Sequence, residues 1–231
     1  KGDTEAALKD LEAAEAIDPR NPVALRARGR IAEGKKDTAG AIAFYVKSLE
    51  VEPADVFANR RLIALYRQTD DDDRALSTIG ALLKINPLDA DLYLLRANIF
   101  RSMGKNDAVI GEAVAVAAAD PNNSYFQIVA ARIYDASGQR DEALKAVDRA
   151  LAIKPEAYIS LNRADLRAPD DLAGQKADLA SGMRLDPTDD RLIVRSARLE
   201  GKMGNLLGGI GMIKREIASS KAGQSLLLMG R

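Results

Sequence analysis

The sequence predicts an all-α fold built from copies of one antiparallel helix pair. Three observations carry this prediction. Pro19, Pro53, Pro87, Pro121 and Pro155 follow one another at 34 residues, and Pro187 follows at 32. Small residues hold two columns at the same step, Gly29, Ala97, Ala131 and Ala197 in one, Ala7, Ala41, Ala75 and Ala143 in the other. Between the prolines, apolar residues recur at helical spacing, as in Ala143, Leu144, Val147, Ala150 and Leu151. A fixed period of this length marks one supersecondary unit copied along the chain. "GDTEAALKDLEAAEAIDP" at residues 2–19 and "GQRDEALKAVDRALAIKP" at residues 138–155 are two versions of one phrase.

Taken in order, each copy reads as a cap, a first helix, a turn, a second helix and a stop. Asn21, Asp55, Asp89, Asn123 and Asp189 each sit two residues after a proline. Their side chains are suited to accept the orphan N–H groups of the helix that follows, worth about 1 kcal/mol each. Pro22 falls at a first helical position, where its missing N–H costs nothing. Midway along the first helix comes the small residue, with Ile63 the one departure, and an aromatic residue (Tyr66, Phe100, Tyr134) follows three positions later. Small side chains let helices approach while the large ones fill the groove beside them. Gly104, Gly138 and Gly204 mark the turn. The second helix has its own small column, broken at Val109, and a second column of Leu11, Tyr45, Ile79, Ala113 and Val147. Proline then ends it, since it lacks the N–H and disfavours helix in the residue before it.

The parse is 1–19 as the second helix of a truncated copy, then 20–53, 54–87, 88–121, 122–155, 156–187 and 188–221, and 222–231 as the start of a further first helix. It predicts a piece of a longer array or a larger protein. Such arrays bury their core between neighbours, so a cut end bares apolar surface. The stretch "SLLLMG" at residues 225–230 is expected to pack on the preceding helix.

Composition narrows the function classes. With 47% apolar and 29% charged residues the chain is globular in character. It has no cysteine and no histidine. That excludes disulfides, thiol catalysis, histidine-based triads and the usual zinc sites. A carboxylate site for magnesium or calcium stays open in principle. The formal charge is zero, so bulk charge gives no argument for nucleic acid or an anionic membrane. No apolar run is long enough to cross a bilayer. Absence of cysteine suits cytoplasm and bacterial periplasm alike, and the Ala-, Arg- and Asp-rich composition points to a bacterial source.

The 34-residue step, the two small columns, the aromatic three after the first and the closing proline resemble the tetratricopeptide repeat family. The resemblance covers nearly the whole chain, and residues 124–155 are its best copy. There are departures: no Trp occurs, Ile63 stands in a small column, one copy is two residues short, and the last lacks its proline. The resemblance implies a right-handed superhelical solenoid whose first helices line a concave face that binds peptides. On that face it places Arg26, Arg30, Arg60, Arg61, Arg67, Asn98, Arg101, Arg132, Asn162, Arg191, Arg195 and Arg198. With Lys202 and the acids Asp91, Asp135 and Asp165, the set carries eleven basic and three acidic residues, a net of +8 in a neutral chain.

A basic hollow would concentrate an acidic peptide or a C-terminal carboxylate, and arginine's planar fork grips carboxylates bidentately. The competing reading is that these arginines pair with local Asp and Glu on solvated helix faces. Some family members clamp a terminal carboxylate with five residues. Asn162, Arg191 and Arg195 match three of those slots, whereas Ile128 and Arg132 do not match the other two.

Three further stretches read as structural. "TDDDD" at residues 69–73 lacks the alternating spacing of a calcium loop and sits where a second helix begins, where acids suit the helix dipole. "GGIG" at residues 208–211 follows no strand and falls inside a helix, which its glycines loosen. Phe57, Tyr125 and Tyr158 open three first helices and are expected to cover the edge of a neighbouring copy rather than stack on a ligand.

The expectation is a scaffold without catalysis, with no cofactor, metal or catalytic residue, that binds a protein or peptide. The alternative is the regulatory, targeting or export-associated arm of a larger bacterial protein. RNA binding by a related one-base-per-unit repeat is a third reading, disfavoured by zero net charge and by aromatics that keep no common groove position. No membrane contact is expected of this segment. Self-association is compatible with open array ends.

Overall fold

The structure is a computed structural model that describes residues 2–219. Among these residues there are thirteen α-helices and no strand. They are α1 (Gly2–Ile17), α2 (Pro22–Gly34), α3 (Thr38–Val51), α4 (Val56–Gln68), α5 (Asp72–Ile85), α6 (Ala90–Ser102) and α7 (Asn106–Ala119). Then follow α8 (Ser124–Ala136), α9 (Arg140–Ile153), α10 (Ala157–Leu166), α11 (Leu172–Leu185), α12 (Asp190–Lys202) and α13 (Leu206–Ser219). None is long and apolar enough to cross a membrane. The segments at 222–231 and 225–230, read from sequence as a further first helix and a packing stretch, lie outside the described residues.

The chain divides into two compact units, residues 1–99 and 100–231. In the first, α1 packs on α2, α2 on α3, α3 on α4 and α4 on α5. In the second, each helix from α7 to α13 packs on the next. Connections are too short for anything but antiparallel neighbours. The core runs between consecutive helices. Ala41, Tyr45, Ala58, Ala75 and Ile79 are fully buried in the first unit, as are Val129, Ala143, Val147, Ile159 and Leu192 in the second.

Four of the five expected caps hold their helix N–H groups. Asn21 Oδ1 accepts from Val23 and Ala24, each at 3.0 Å. Asp55 accepts from Ala58, Asn123 from Tyr125 and Asp189 from Arg191. The carboxylate of Asp89 instead meets Arg60 Nη2 at 3.2 Å. A second cap column went unread in the sequence. Asp37, Asp71, Asp171 and Asn205 each accept from the N–H three residues on, at the starts of α3, α5, α11 and α13. Asp71 belongs to the acidic run at 69–73; Asp72 of that run pairs with Arg67 at 3.1 Å.

A polar column anchors the repeat junctions. Asn59 Nδ2, Tyr93 Oη and Gln127 Nε2 donate to the carbonyls of Pro53, Pro87 and Pro121, at 2.9, 3.1 and 3.4 Å. All three residues are buried. Proline stops the second helix, and this side chain satisfies the carbonyl it leaves free.

Two small positions have geometric causes. A Cβ on Gly29 would lie 2.7 Å from the ring of Tyr45, which is fully buried. A Cβ on Gly209 would lie 2.5 Å from the carbonyl oxygen of Ala197. Gly209 therefore lets α13 press against the backbone of α12. The loosened helix expected of "GGIG" is at this position a close approach.

The short copy is resolved at α10. That helix has 10 residues where α8 and α12 have 13. It lacks a cap side chain at Glu156, and it ends on an extended Arg167 (φ −61°, ψ 150°) before Pro169. Arg167 and Arg163 are tied down by the buried Asp178 of α11, at 2.8 and 2.6 Å. Gln175 Nε2 donates to Ala168 O at 2.9 Å across the same turn.

Candidate functional site

In the first unit, four of the predicted arginines carry acid partners. Arg26 Nη1 meets Glu52 at 2.5 Å and also Asp55. Arg61 forks onto Glu33, with Nε 2.9 Å from Oε1. Glu33 also accepts from the Tyr45 hydroxyl at 2.6 Å; burial pushes that phenol's pKa up, against the opposing field of Arg30. Arg60 reaches Asp89, and Arg67 reaches Asp72. Arg30 is exposed and lines a groove between α1 and α2 with Asp10, Leu11 and Ile31. On α6, Asn98 is half-buried and Arg101 exposed, and each is engaged by a neighbouring group.

In the second unit, three successive first helices present predicted residues to one another. Ile128, Arg132 and Asp135 of α8 face Asn162 and Asp165 of α10 across a cleft of about 120 Å³. Arg195 of α12 reaches into this group, with Nη2 at 2.6 Å from Asp165 Oδ1. Asn162 Nδ2 donates to the Tyr158 carbonyl at 2.8 Å, which fixes the amide plane. Arg132 is exposed and makes no ion pair among the described residues. Arg191 is forked onto the cap of its own helix: its Nε and Nη2 lie 3.0 and 2.6 Å from the two oxygens of Asp189. That side-chain hydrogen bonding holds the Asp189 carboxyl below the ordinary aspartate value. Arg198 lines a different groove, between α12 and α13.

Six of the ten predicted arginines (Arg26, Arg60, Arg61, Arg67, Arg191, Arg195) are thus ion-paired inside the chain. The partner of Arg195, Asp165, is already counted in the +8; the other partners, Glu33, Glu52, Asp55, Asp72, Asp89 and Asp189, come from helix ends and caps outside that set. The field of the first-helix face is correspondingly weaker than that sum. Glu33, Glu52, Asp55 and Asp89 lie 26 to 29 residues from the arginines they meet, so spacing along the sequence does not pair them. Of the aromatic residues, Phe57 packs edge-on to Tyr45 of the preceding helix pair, with ring centroids 6.2 Å apart. Among the described residues no group of three or more carboxylates is placed to hold a metal ion.

Comparison with known proteins bears on the family. Tetratricopeptide repeat models match residues 1–53 and 125–157. A tetratricopeptide repeat protein of Parabacteroides merdae superposes over 98% of this chain and 91% of its own, with a TM-score of 0.53 at 17% identity. The chain carries tetratricopeptide repeats.

Yeast Tom70 superposes on this tetratricopeptide repeat chain over 98% of its length and 57% of Tom70's, with a TM-score of 0.57 at 13% identity. These likenesses show the fold, an all-α solenoid of helix pairs. The cellulose synthase operon protein C of Pseudomonas fluorescens (strain SBW25) is 27% identical over 137 residues. That match takes in 58% of this chain and 11% of the longer protein. The tetratricopeptide fold is that of a protein–protein interaction scaffold.

Proposed function

We propose that this repeat-bearing chain is a non-catalytic scaffold that takes an acidic peptide or partner surface on the faces of its first helices. The observation that carries the reading is the cleft of the second unit. There Arg132, Asn162 and Arg195 come from three successive first helices onto one surface, and Arg132 has no ion-pair partner among the described residues. The paired arginines fit the same reading. Exposed ion pairs are weak and salt-sensitive, so a partner's carboxylates can replace the internal acids at little cost. Terminal-carboxylate clamping is the less favoured form of this proposal, since Arg191 is already forked onto Asp189.

The test is capture of acidic peptides from an array, read in parallel for two charge-reversal variants. Arg132→Glu/Arg195→Glu alters the second unit, and Arg60→Glu/Arg61→Glu/Arg67→Glu alters the first. Capture should fall about tenfold or more for the variant whose face is used, while helical circular dichroism stays unchanged. Unchanged capture by both variants rejects the basic-face reading.

A second reading is favoured by the match to a cellulose synthase operon protein. In it the chain is the targeting or export-associated arm of a larger bacterial protein. The flanking reading frame tests it: catalytic or membrane-spanning segments on either side are the expected result.

A further inference from the structure

The cleft between α8 and α10 holds a second available charge beside Arg132. Asp135 lies one turn further along α8, is exposed, and makes no ion pair among the described residues. An arginine followed three residues on by an aspartate is the poorer order for pairing along a helix, because the reverse order suits the helix dipole. Across the cleft, Asp165 is taken by Arg195 at 2.6 Å. The two cations and two anions around the opening therefore balance, and those left available are one of each sign. The floor beside them is apolar: Ile128 and Ala131 are buried and Leu166 is half-buried. The opening does not arise at an end of the array. Helix α8 packs between α7 and α9, and α10 between α9 and α11. Ile128, Arg132 and Asp135 follow one another at i, i+4 and i+7. One stripe of α8 thus carries an apolar, a basic and an acidic residue in that order, over about 10 Å.

We infer that the α8/α10 cleft takes an extended peptide segment bearing an apolar side chain, a carboxylate and a cation at alternate positions, and so selects a mixed-charge sequence over a uniformly acidic one. The inference rests on the reading that this face takes a partner, and it adds Asp135 as the residue that sets which partner. The apolar side chain seats at Ile128, Arg132 takes the carboxylate, and Asp135 takes the cation. A second carboxylate in the last position would face Asp135, and like charges brought together oppose binding. A helix is too wide to enter. One helical turn, about 10 Å across and ~5.4 Å long, fills roughly 400 Å³, whereas the cleft has about 120 Å³. In an extended chain, alternate side chains share one face at intervals of roughly 6.5 Å. Positions i, i+2 and i+4 of such a segment can therefore meet the three residues of the stripe in turn.

The probes are three fluorescein-labelled peptides, blocked at both ends, that share a Gly/Ser frame and differ in one motif. The first carries Leu-Ser-Glu-Ser-Lys, its charge-exchanged twin Leu-Ser-Lys-Ser-Glu, and the acidic control Leu-Ser-Glu-Ser-Glu. Anisotropy titration of the full chain at low salt should show the first binding about tenfold tighter than either of the others. The first two have one composition and one net charge, so bulk electrostatics does not separate them. Asp135→Lys should shift the preference about tenfold toward the acidic peptide, and Arg132→Asp/Asp135→Arg should favour the twin over the first. Both changed residues are exposed, and helical circular dichroism should stay unchanged. Equal binding of the first peptide and its twin, or a preference for the twin, overturns the inference. Tightest binding of the acidic peptide, lost in Arg132→Glu/Arg195→Glu and indifferent to Asp135→Lys, overturns it while the basic-face reading stands. Binding of none of the three also overturns it, and the basic-face reading falls too only if both charge-reversal variants leave capture on the peptide array unchanged.

Discussion

Lys36, Asp70, Gly104, Gly138 and Gly204 occupy one turn position, and all have positive φ, between 55° and 86°. Only the three glycines signal this in the sequence. At Lys36 and Asp70 an L side chain holds the left-handed conformation, at a cost of about 1 kcal/mol each. Lys36→Gly and Asp70→Gly should therefore each raise stability by roughly 0.5 kcal/mol, net of the added freedom of the unfolded chain. Gly138→Ala should lower it by about 1 kcal/mol. Urea unfolding midpoints at constant slope check all three. Asp189 makes a pH prediction. Its folded carboxyl titrates below its unfolded counterpart because Arg191 hydrogen-bonds to it. The stabilisation is full above the unfolded value and is lost as pH falls through the folded one. Asp189→Asn keeps the cap oxygen but loses the charge. Its melting temperature should lie below wild type at neutral pH, and the gap should close in acid.

At the scale of the helix, most starts were legible because capping uses few residue types at one offset from proline. The second-helix caps at Asp37, Asp71, Asp171 and Asn205 were missed because no proline flags them. In that column α7 has Lys105 and α9 has Gln139, and neither makes a side-chain cap bond. Lys105→Asp and Gln139→Asp should each add about 1 kcal/mol, read from thermal or urea unfolding. No gain in either would mean that local geometry there differs from the starts of α3 and α5. The shortened α10 shows the converse. Its missing two residues were countable in the sequence, but the compensating contacts of Asp178 with Arg163 and Arg167 required the turn to be seen.

For the whole chain, packing between consecutive helices makes stability a sum of nearest-neighbour terms within each unit. A local lesion should stay local. Gly29→Ala drives a methyl into the Tyr45 ring and should destabilise the α1–α4 region by about 1–3 kcal/mol. Hydrogen exchange should quicken in α2, α3 and α4 and stay at the wild-type rate in α9 to α12. Uniform acceleration across both units would show one cooperative block instead.

The repeat pattern, the helix pairs, four of the five expected first-helix caps and the buried columns were legible in the sequence alone. Periodicity, capping and proline are local signals, and they repeat, so each copy corroborates the others. The tertiary structure alone decided which charges meet. Arg61 finds Glu33, Arg195 finds Asp165, and Arg132 is left without an ion-pair partner among the described residues. It also decided that Gly209 makes a close approach of two helices. Those outcomes depend on distances between side chains of different helices, and a residue's position in a repeat does not carry them.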